Sequence, residues 1–287
     1  MKFLFMLGCI FRIENVYFDD EIDMGVVKLV LSSTQDDHDL KKLFGHLKRE
    51  IGNETNFYSL AIILRKMGEF HHAEECLKQQ LLHSSSSSND SYRCYHALDN
   101  IYQDRGNFEQ AIIYHKYSLE IKLILSSKDY VDIGNSYNSI GADYEKKGDL
   151  SLALRSYEKA RVIWLKCYKD KHERMAMIYN NLGIIHRKMN MYSQALENHT
   201  KALGIRQAIL PDNHPDIASS YVNLAMVYMK MNDLDQALDH FQIALDIQQK
   251  SLSSNHKSLA LTLCDIGSVY EIKKTISIGS RLFFESH

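Results

Sequence analysis

The chain has 287 residues, of which 45% are hydrophobic, and its formal net charge is −2. This charge gives no electrostatic support for a nucleic-acid or anionic-membrane partner, and no apolar run reaches the ~20 residues of a membrane span. Only two prolines occur, which favours a mainly helical protein. The five cysteines form no C-x-x-C pair and indicate free thiols in a reducing compartment, so we expect a cytoplasmic protein.

Residues 1–53 are predicted to form a strand–strand–helix segment of their own. The aromatic run 3–11 predicts a buried strand, and residues 25–31 predict a second one. A secretory signal is the alternative for the first run, but Arg12 follows at once and no small-x-small cleavage site is found. Residues 36–51 carry apolar side chains at helical spacing. Because two strands cannot bury both faces alone, we interpret the segment as the remnant of a larger domain or as a cap.

Residues 54–272 repeat one pattern. Tyr137, Tyr179 and Tyr221 each open a similar phrase, and they follow one another at a constant step of 42 residues. A fixed period of roughly 20–50 residues is the sequence signature of a stacked repeat protein. The repeats start near residues 54, 92, 134, 176 and 218, and a partial repeat starts at residue 260.

Each repeat is predicted to contain two helices, which we call helix A and helix B. Aromatic and leucine side chains at positions 4, 7 and 11 of the repeat form one helical stripe. Small residues at positions 8 and 20 allow the two helices to approach closely. Position 15 of the first five repeats is Gly or Asn, the residues that tolerate a positive φ and end helices. These turn residues are Gly68, Gly106, Gly148, Asn190 and Asn232.

The repeated phrases resemble those of a known family. Tyr-x-Asn-Leu-Gly/Ala, Gln/Leu-Ala-Leu and the His-Pro-Asp loop at 214–216 resemble tetratricopeptide repeats (TPRs), specifically the 42-residue type of kinesin light chains. The resemblance implies a mainly α, right-handed TPR α-solenoid of helix-turn-helix repeats. It also implies a concave face, lined by helices A, that holds extended peptides. No heptad segment precedes the repeats, so a true kinesin light chain is not expected.

A second resemblance concerns the first strands. Residues 3–13 and 26–31 resemble the C-terminal end of an arginine-specific mono-ADP-ribosyltransferase domain. That family places a Glu-x-Glu motif just before such a strand, but here the second glutamate would fall near Lys2. The resemblance implies an alternative function, the regulatory TPR arm of a truncated, catalytically incomplete NAD-dependent protein-arginine ADP-ribosyltransferase.

Motifs that carry chemistry are not found. The sequence has no Gly-rich phosphate loop, no His-Glu-x-x-His and no Gly-x-Ser-x-Gly. The densest ligand-like cluster, His71 and His72 with Glu74, Glu75 and Cys76, falls on a predicted helix B and is interpreted as a core cysteine beside exposed polar residues. We therefore expect no catalytic residue, no cofactor and no metal, and hence no enzyme.

Polar side chains on the inner face of helices A predict the binding site. Asparagine amides both donate to and accept from an extended peptide backbone, and Arg and Lys select acidic groups. The predicted partner is therefore a protein or peptide, extended and partly acidic, and the predicted function is a protein-interaction scaffold. The groove residues are Tyr58, Arg65, Asn100, Asn138, Asn180, Asn181, Arg187, Lys188, Asn223 and Lys230.

The repeat pattern breaks off near the end of the chain. Residues 260–272 follow the helix A pattern, but position 15 of this repeat is Lys274 instead of Gly or Asn. Thr275 and Ile276 then bring β-branched side chains where helix B is expected. An irregular tail is predicted for residues 273–287.

Overall fold

The computed structural model describes residues 3–6, 9–19, 24–31, 57–84, 89–125, 130–168, 171–253 and 255–285. The chain divides into two compact units, Met1–Asp129 and Tyr130–His287. The first compact unit therefore runs across the predicted domain boundary at residue 53.

The first unit begins with a three-stranded antiparallel sheet. Its strands, in the order β1-β2-β3, are β1 (Phe3–Met6), β2 (Cys9–Asp19) and β3 (Met24–Leu31). Only two strands were expected here. The apolar run 3–11 belongs to two strands, because Met6 pairs with Cys9 and the chain reverses between them. The predicted helix at 36–51 lies outside the described residues.

Two helix A/helix B pairs complete the first unit. They are α1 (Phe57–Lys66) with α2 (Phe70–His83), and α3 (Asn89–Asp104) with α4 (Phe108–Leu125). Buried residues of α1, α2 and α3 form one core. Its largest aliphatic side chains are Leu64, Leu77, Leu98 and Ile101. Strand β2 contacts α2, so the sheet and the first helix pair share the unit.

The second unit contains three further pairs and one long helix. These are α5 (Tyr130–Lys147), α6 (Leu150–Cys167), α7 (Glu173–Lys188), α8 (Tyr192–Ile209), α9 (Pro215–Lys230), α10 (Leu234–Ser251) and α11 (Lys257–Glu285). The predicted helix-turn-helix repeats are thus confirmed. Of the helices described in the two units, none is both long and apolar enough to cross a membrane.

The predicted turn residues are confirmed at all five repeats. Each has a positive φ: 78° at Gly68, 72° at Gly106, 91° at Gly148, 60° at Asn190 and 63° at Asn232. After Gly148, the amide of the next residue donates to the carbonyl five residues earlier, a bond that closes the end of a helix. Helix A therefore ends, and helix B begins, where the sequence places the left-handed residue.

Small residues at position 8 bring the two helices of a repeat together. A Cβ atom added to Gly141 would lie 2.7 Å from the ring of Tyr157, and one added to Gly183 would lie 2.6 Å from the ring of His199. Real Cβ contacts do not come so close, so these glycines on helix A form the surface on which an aromatic ring of helix B rests. The predicted role of position 8 is confirmed at both sites.

His199 is the most unusual of these rings. The side chain is fully buried, and neither ring nitrogen has a hydrogen-bond partner among the described residues. Burial, and to a smaller extent the nearby charges of Arg187, Arg206 and His186, lower the pKa of His199 to about 4. The imidazole is therefore neutral in the folded protein at neutral pH.

Three loop histidines, one before each later helix A, cap the helix that follows. The Nδ1 atoms of His172 and His214 each accept a backbone N–H bond of 3.1 Å from the residue two positions later, and His256 accepts one of 3.2 Å. These bonds satisfy N–H groups that the first turn of a helix leaves without a partner. The recurrence of His in these loops is explained by capping, as is Pro215 at the first position of α9.

The predicted irregular tail is wrong. Helix α11 continues through residue 273 and ends only at Glu285. With Lys274 at position 15, the glycine or asparagine that ends the other helices A is missing at this point. The β-branched Thr275 and Ile276 cost only a few tenths of a kcal/mol each, so an established helix extends through them.

Candidate functional site

Helices A of successive repeats lie side by side within each compact unit. In the second unit α7 contacts α9, and hydrogen bonds join α7 to α5. In the first unit α1 contacts α3. We use the term A-helix face for the surface that α5, α7 and α9 share. Its polar side chains are Asn135, Asn138, Glu145, Asn180, Asn181, Arg187, Lys188, Asn223 and Lys230.

The four predicted asparagines of this face form two pairs between neighbouring helices. Asn181 Nδ2 donates to Asn138 Oδ1 over 3.0 Å, which joins α7 to α5. Asn223 Nδ2 donates to Asn180 Oδ1 over 2.8 Å, which joins α9 to α7. The residue at position 6 of one repeat thus donates to the residue at position 5 of the preceding repeat. The asparagines recur in phase because they connect the repeats.

Each pair leaves part of its hydrogen-bonding capacity unused. A side-chain amide offers two N–H donors and an oxygen that accepts two bonds. In the pair of Asn138 and Asn181 only one donor and one acceptor are used within the described residues, and the same holds for Asn180 and Asn223. All four side chains are half-buried. The pairs can therefore hold the helices together and still present donors and acceptors to a bound peptide.

Basic side chains lie at the C-terminal ends of α7 and α9. Lys188 Nζ is 2.8 Å from Glu145 Oε1 on α5, so its charge is partly neutralised by a neighbouring repeat. Arg187 is half-buried, and its Nε has no hydrogen-bond partner among the described residues. Burial lowers the pKa of Arg187 and nearby Glu145 opposes the shift, but a guanidinium stays charged in proteins. Lys230, at the last position of α9, is exposed.

The predicted residues of the first unit make different contacts. Arg65 Nε on α1 donates to Asp104 Oδ2 on α3 over 2.6 Å. The guanidinium of Arg93 lies 4.3 Å from the centre of the Tyr58 ring, a cation–π contact between the same two helices. Asn100 donates to the carbonyl of His96 within α3. Tyr58 and Arg65 thus connect repeats, whereas Asn100 supports its own helix.

Glu145 and Asn135 on the A-helix face, and Arg174 beside it, were not among the predicted site residues. Glu145 pairs with Lys188, and Arg174 Nη1 donates to Asn135 Oδ1 over 2.5 Å. Glu145 occupies position 12 of one repeat and Lys188 position 13 of the next. Opposite charges at these positions are a signal that could have identified the pair from the sequence.

Comparison with known proteins assigns the family. Two family models, both described as tetratricopeptide repeat, match the chain. The first matches residues 132–208 and 216–274, and the second matches residues 57–89 and 94–128. Together these ranges make up more than half of the chain. No curated protein matches the sequence.

Solved structures agree with this fold. BtubC (BKLC) from P. vanneervenii has a TM-score of 0.60 and 23% identity, over 72% of this chain and 82% of that chain. The nearly identical TPR-like repeats of a protein designated a kinesin light chain, from Podosopora anserina, have a TM-score of 0.58 and 20% identity, over 69% of this chain and 96% of that chain. At these identities the likeness establishes the fold alone. Since the family models cover most of the described helices, the chain belongs to the tetratricopeptide repeat family.

Proposed function

We propose that the chain is a protein-interaction scaffold that binds an extended, partly acidic segment of a partner protein on its A-helix face. The observation that carries this proposal is the regular set of half-buried amides, whose unused donors and acceptors recur with the repeat. An extended backbone needs alternating donors and acceptors along its length, and paired asparagines supply both.

The charges of the face favour an acidic partner. Lys230 is exposed and has no ion-pair partner among the described residues, and the side chain of Arg187 is half-buried. Both groups lie at the same ends of neighbouring helices, α7 and α9. A carboxylate bound there would receive charge-assisted hydrogen bonds, which are stronger than those between neutral groups.

A selection of random 12-residue peptides on the purified chain tests the proposal. We expect the selected peptides to be rich in Asp and Glu. Hydrogen bonds to charged groups contribute roughly 1.5–3 kcal/mol, so Lys230→Ala should lower the affinity by about 10- to 100-fold. The dependence on salt should also become weaker, because one ionic contact is lost.

Lys250→Ala is the matched control, since Lys250 is an exposed lysine on helix B of the same repeat. The control should bind like the wild type. Selected peptides whose affinity ignores Lys230→Ala but falls with Lys250→Ala would place the binding surface on helices B, and the proposal would be wrong.

The ADP-ribosyltransferase interpretation receives no support from the comparisons. Both matching family models are tetratricopeptide repeats, and their ranges begin at residue 57. The regulatory-arm function therefore stays a hypothesis based on the first strands alone. Because this hypothesis gives the chain no catalytic groups, transfer of ADP-ribose from NAD to arginine by the purified chain would contradict it.

A further inference from the structure

Three potential metal ligands meet between α3 and α4 of the first unit. His115 Nδ1 on α4 lies 2.9 Å from Asp99 Oδ1 on α3, and His96 Nδ1 lies 3.5 Å from Asp99 Oδ2. One ligand atom from each residue lies within 4.8 Å of the other two. This His/Asp/His cluster is far from the A-helix face in sequence and plays no part in the proposed peptide binding.

The fold holds the three side chains in place. His96 and Asp99 are three residues apart on α3 and so share one face of that helix. Asp99 and His115 are buried, whereas His96 is exposed and its ring stacks on Tyr92 with 6.2 Å between the ring centres. Two ligands are thus fixed by the core, and the third can adjust its position by rotating an exposed side chain.

The Asp99 carboxylate has one oxygen that the protein does not satisfy. Oδ1 accepts a 2.9 Å hydrogen bond from Gln103 Nε2 and faces His115. Oδ2 is buried and has no hydrogen-bond donor within the described residues. A buried carboxylate oxygen without a partner is costly, and a cation at that position would remove the cost.

A carboxylate oxygen is one of the ligand types that zinc accepts. The bond from Gln103 also orients the carboxylate from outside, as residues around metal ligands commonly do.

We propose that His96, Asp99 and His115 bind a zinc ion, with the fourth position open to solvent beside His96. Two imidazoles and one carboxylate suit zinc, whereas magnesium and calcium prefer ligands that are all oxygen. Zinc–ligand bonds of about 2.0–2.2 Å require ligand atoms roughly 3–3.5 Å apart. In this structure the three ligand atoms lie within 4.8 Å of one another, so zinc binding would draw them closer, and His96 is the exposed ligand of the three.

A second cluster provides the control. His71, His72 and Glu75 on α2 also lie within metal-binding distance of one another. His71 is 75% exposed, and adjacent residues such as His71 and His72 do not share a helix face. This cluster has neither a buried carboxylate nor a ligand from a second helix.

The test is a zinc titration of chelator-treated full-length chain against a chromophoric chelator. We expect one zinc per chain, and a higher thermal midpoint in the presence of zinc because the metal binds the folded state. His96→Gln and Asp99→Asn should each lower the affinity by at least ~100-fold, since loss of an outer-shell partner already costs 10–100-fold. His71→Gln should leave the affinity unchanged.

In a second measurement cobalt replaces zinc, and the absorption spectrum of the bound cobalt shows whether a thiolate is among its ligands. A cobalt spectrum without a thiolate charge-transfer band is expected, because no cysteine belongs to the site. The proposal is overturned by absence of stoichiometric zinc binding, by binding that survives both His96→Gln and Asp99→Asn, or by a thiolate band. His96 is exposed and asparagine matches aspartate in shape, so both variants are expected to fold, and circular dichroism checks this.

Discussion

The neutral, buried imidazole of His199 makes the stability of the second unit depend on pH. The ring has a pKa of about 4 in the folded protein, compared with 6.5 for an unperturbed histidine. As the pH falls below 6.5 the unfolded chain takes up a proton, while the folded chain does so only near pH 4. The stability contributed by the neutral ring is therefore complete above pH 6.5 and is lost between pH 6.5 and 4. The gap between these pKa values corresponds to about 3 kcal/mol.

The substitution His199→Phe tests this reasoning. The corresponding residue of the next repeat is Phe241, which is fully buried in the same position on helix B, so the repeat accommodates a phenylalanine ring. The variant cannot bind the proton. Both proteins are expected to lose stability when the pH is lowered from 7.5 to 4. We expect the loss in free energy of unfolding to be about 3 kcal/mol smaller for His199→Phe than for the wild type.

Urea unfolding followed by circular dichroism at several pH values measures this difference. Each protein is compared with itself at pH 7.5, so the other titrating groups contribute equally to both and cancel. Parallel loss of stability in wild type and His199→Phe across pH 6.5–4 would show that the buried ring does not resist protonation, and the reasoning would fail.

Three further predictions concern the backbone and packing. Gly183→Ala should be less stable than Gly204→Ala by about 1–3 kcal/mol, as measured by urea unfolding. Both variants gain the helix propensity of alanine, but only the Cβ added at position 183 meets a ring, that of His199. Asn232→Gly should match or exceed the wild type in thermal stability, while Asn232→Ala should lose about 1 kcal/mol, since φ there is 63°. Lys274→Gly should reduce the helical circular dichroism signal, because glycine is the residue at which helix A ends in the first three repeats.

The turns and helices of the repeats could be predicted because they depend on local backbone chemistry. A positive φ is favourable only for a few residue types, so Gly68, Gly148 and Asn190 mark the helix ends regardless of what surrounds them. The stripe of apolar residues likewise follows from the geometry of a single helix. These features need no knowledge of which elements pack together.

The end of the array could not be predicted in the same way. Lys274 was correctly identified as a departure from the pattern, but its consequence was misjudged. A lost turn signal can produce either disorder or a longer helix, and the outcome depends on whether the preceding helix is already formed. Because extending a helix needs no new nucleus, α11 continues to Glu285.

The first strands show a related limit. Residues 3–11 form a continuous apolar run in the sequence, so pairing between Met6 and Cys9 is not visible in the pattern. Strand periodicity identifies extended backbone, whereas the position of a reversal depends on which strands pair. The sequence therefore predicted the type of element but not the number of strands.

The asparagine pairs show why the site was only partly predictable, and they determine how it should be tested. The sequence predicts Asn181 and Asn223 for the inner face of helices A, but their bonds to the preceding helix depend on how far one repeat is shifted against the next. Replacing either one removes a bond of about 1 kcal/mol from the free protein as well as a contact to a peptide. A weaker complex would then have two explanations. Lys230 has no partner of this kind among the described residues. We therefore expect its loss to weaken peptide binding without loosening the repeats, so that Lys230→Ala separates recognition from stability.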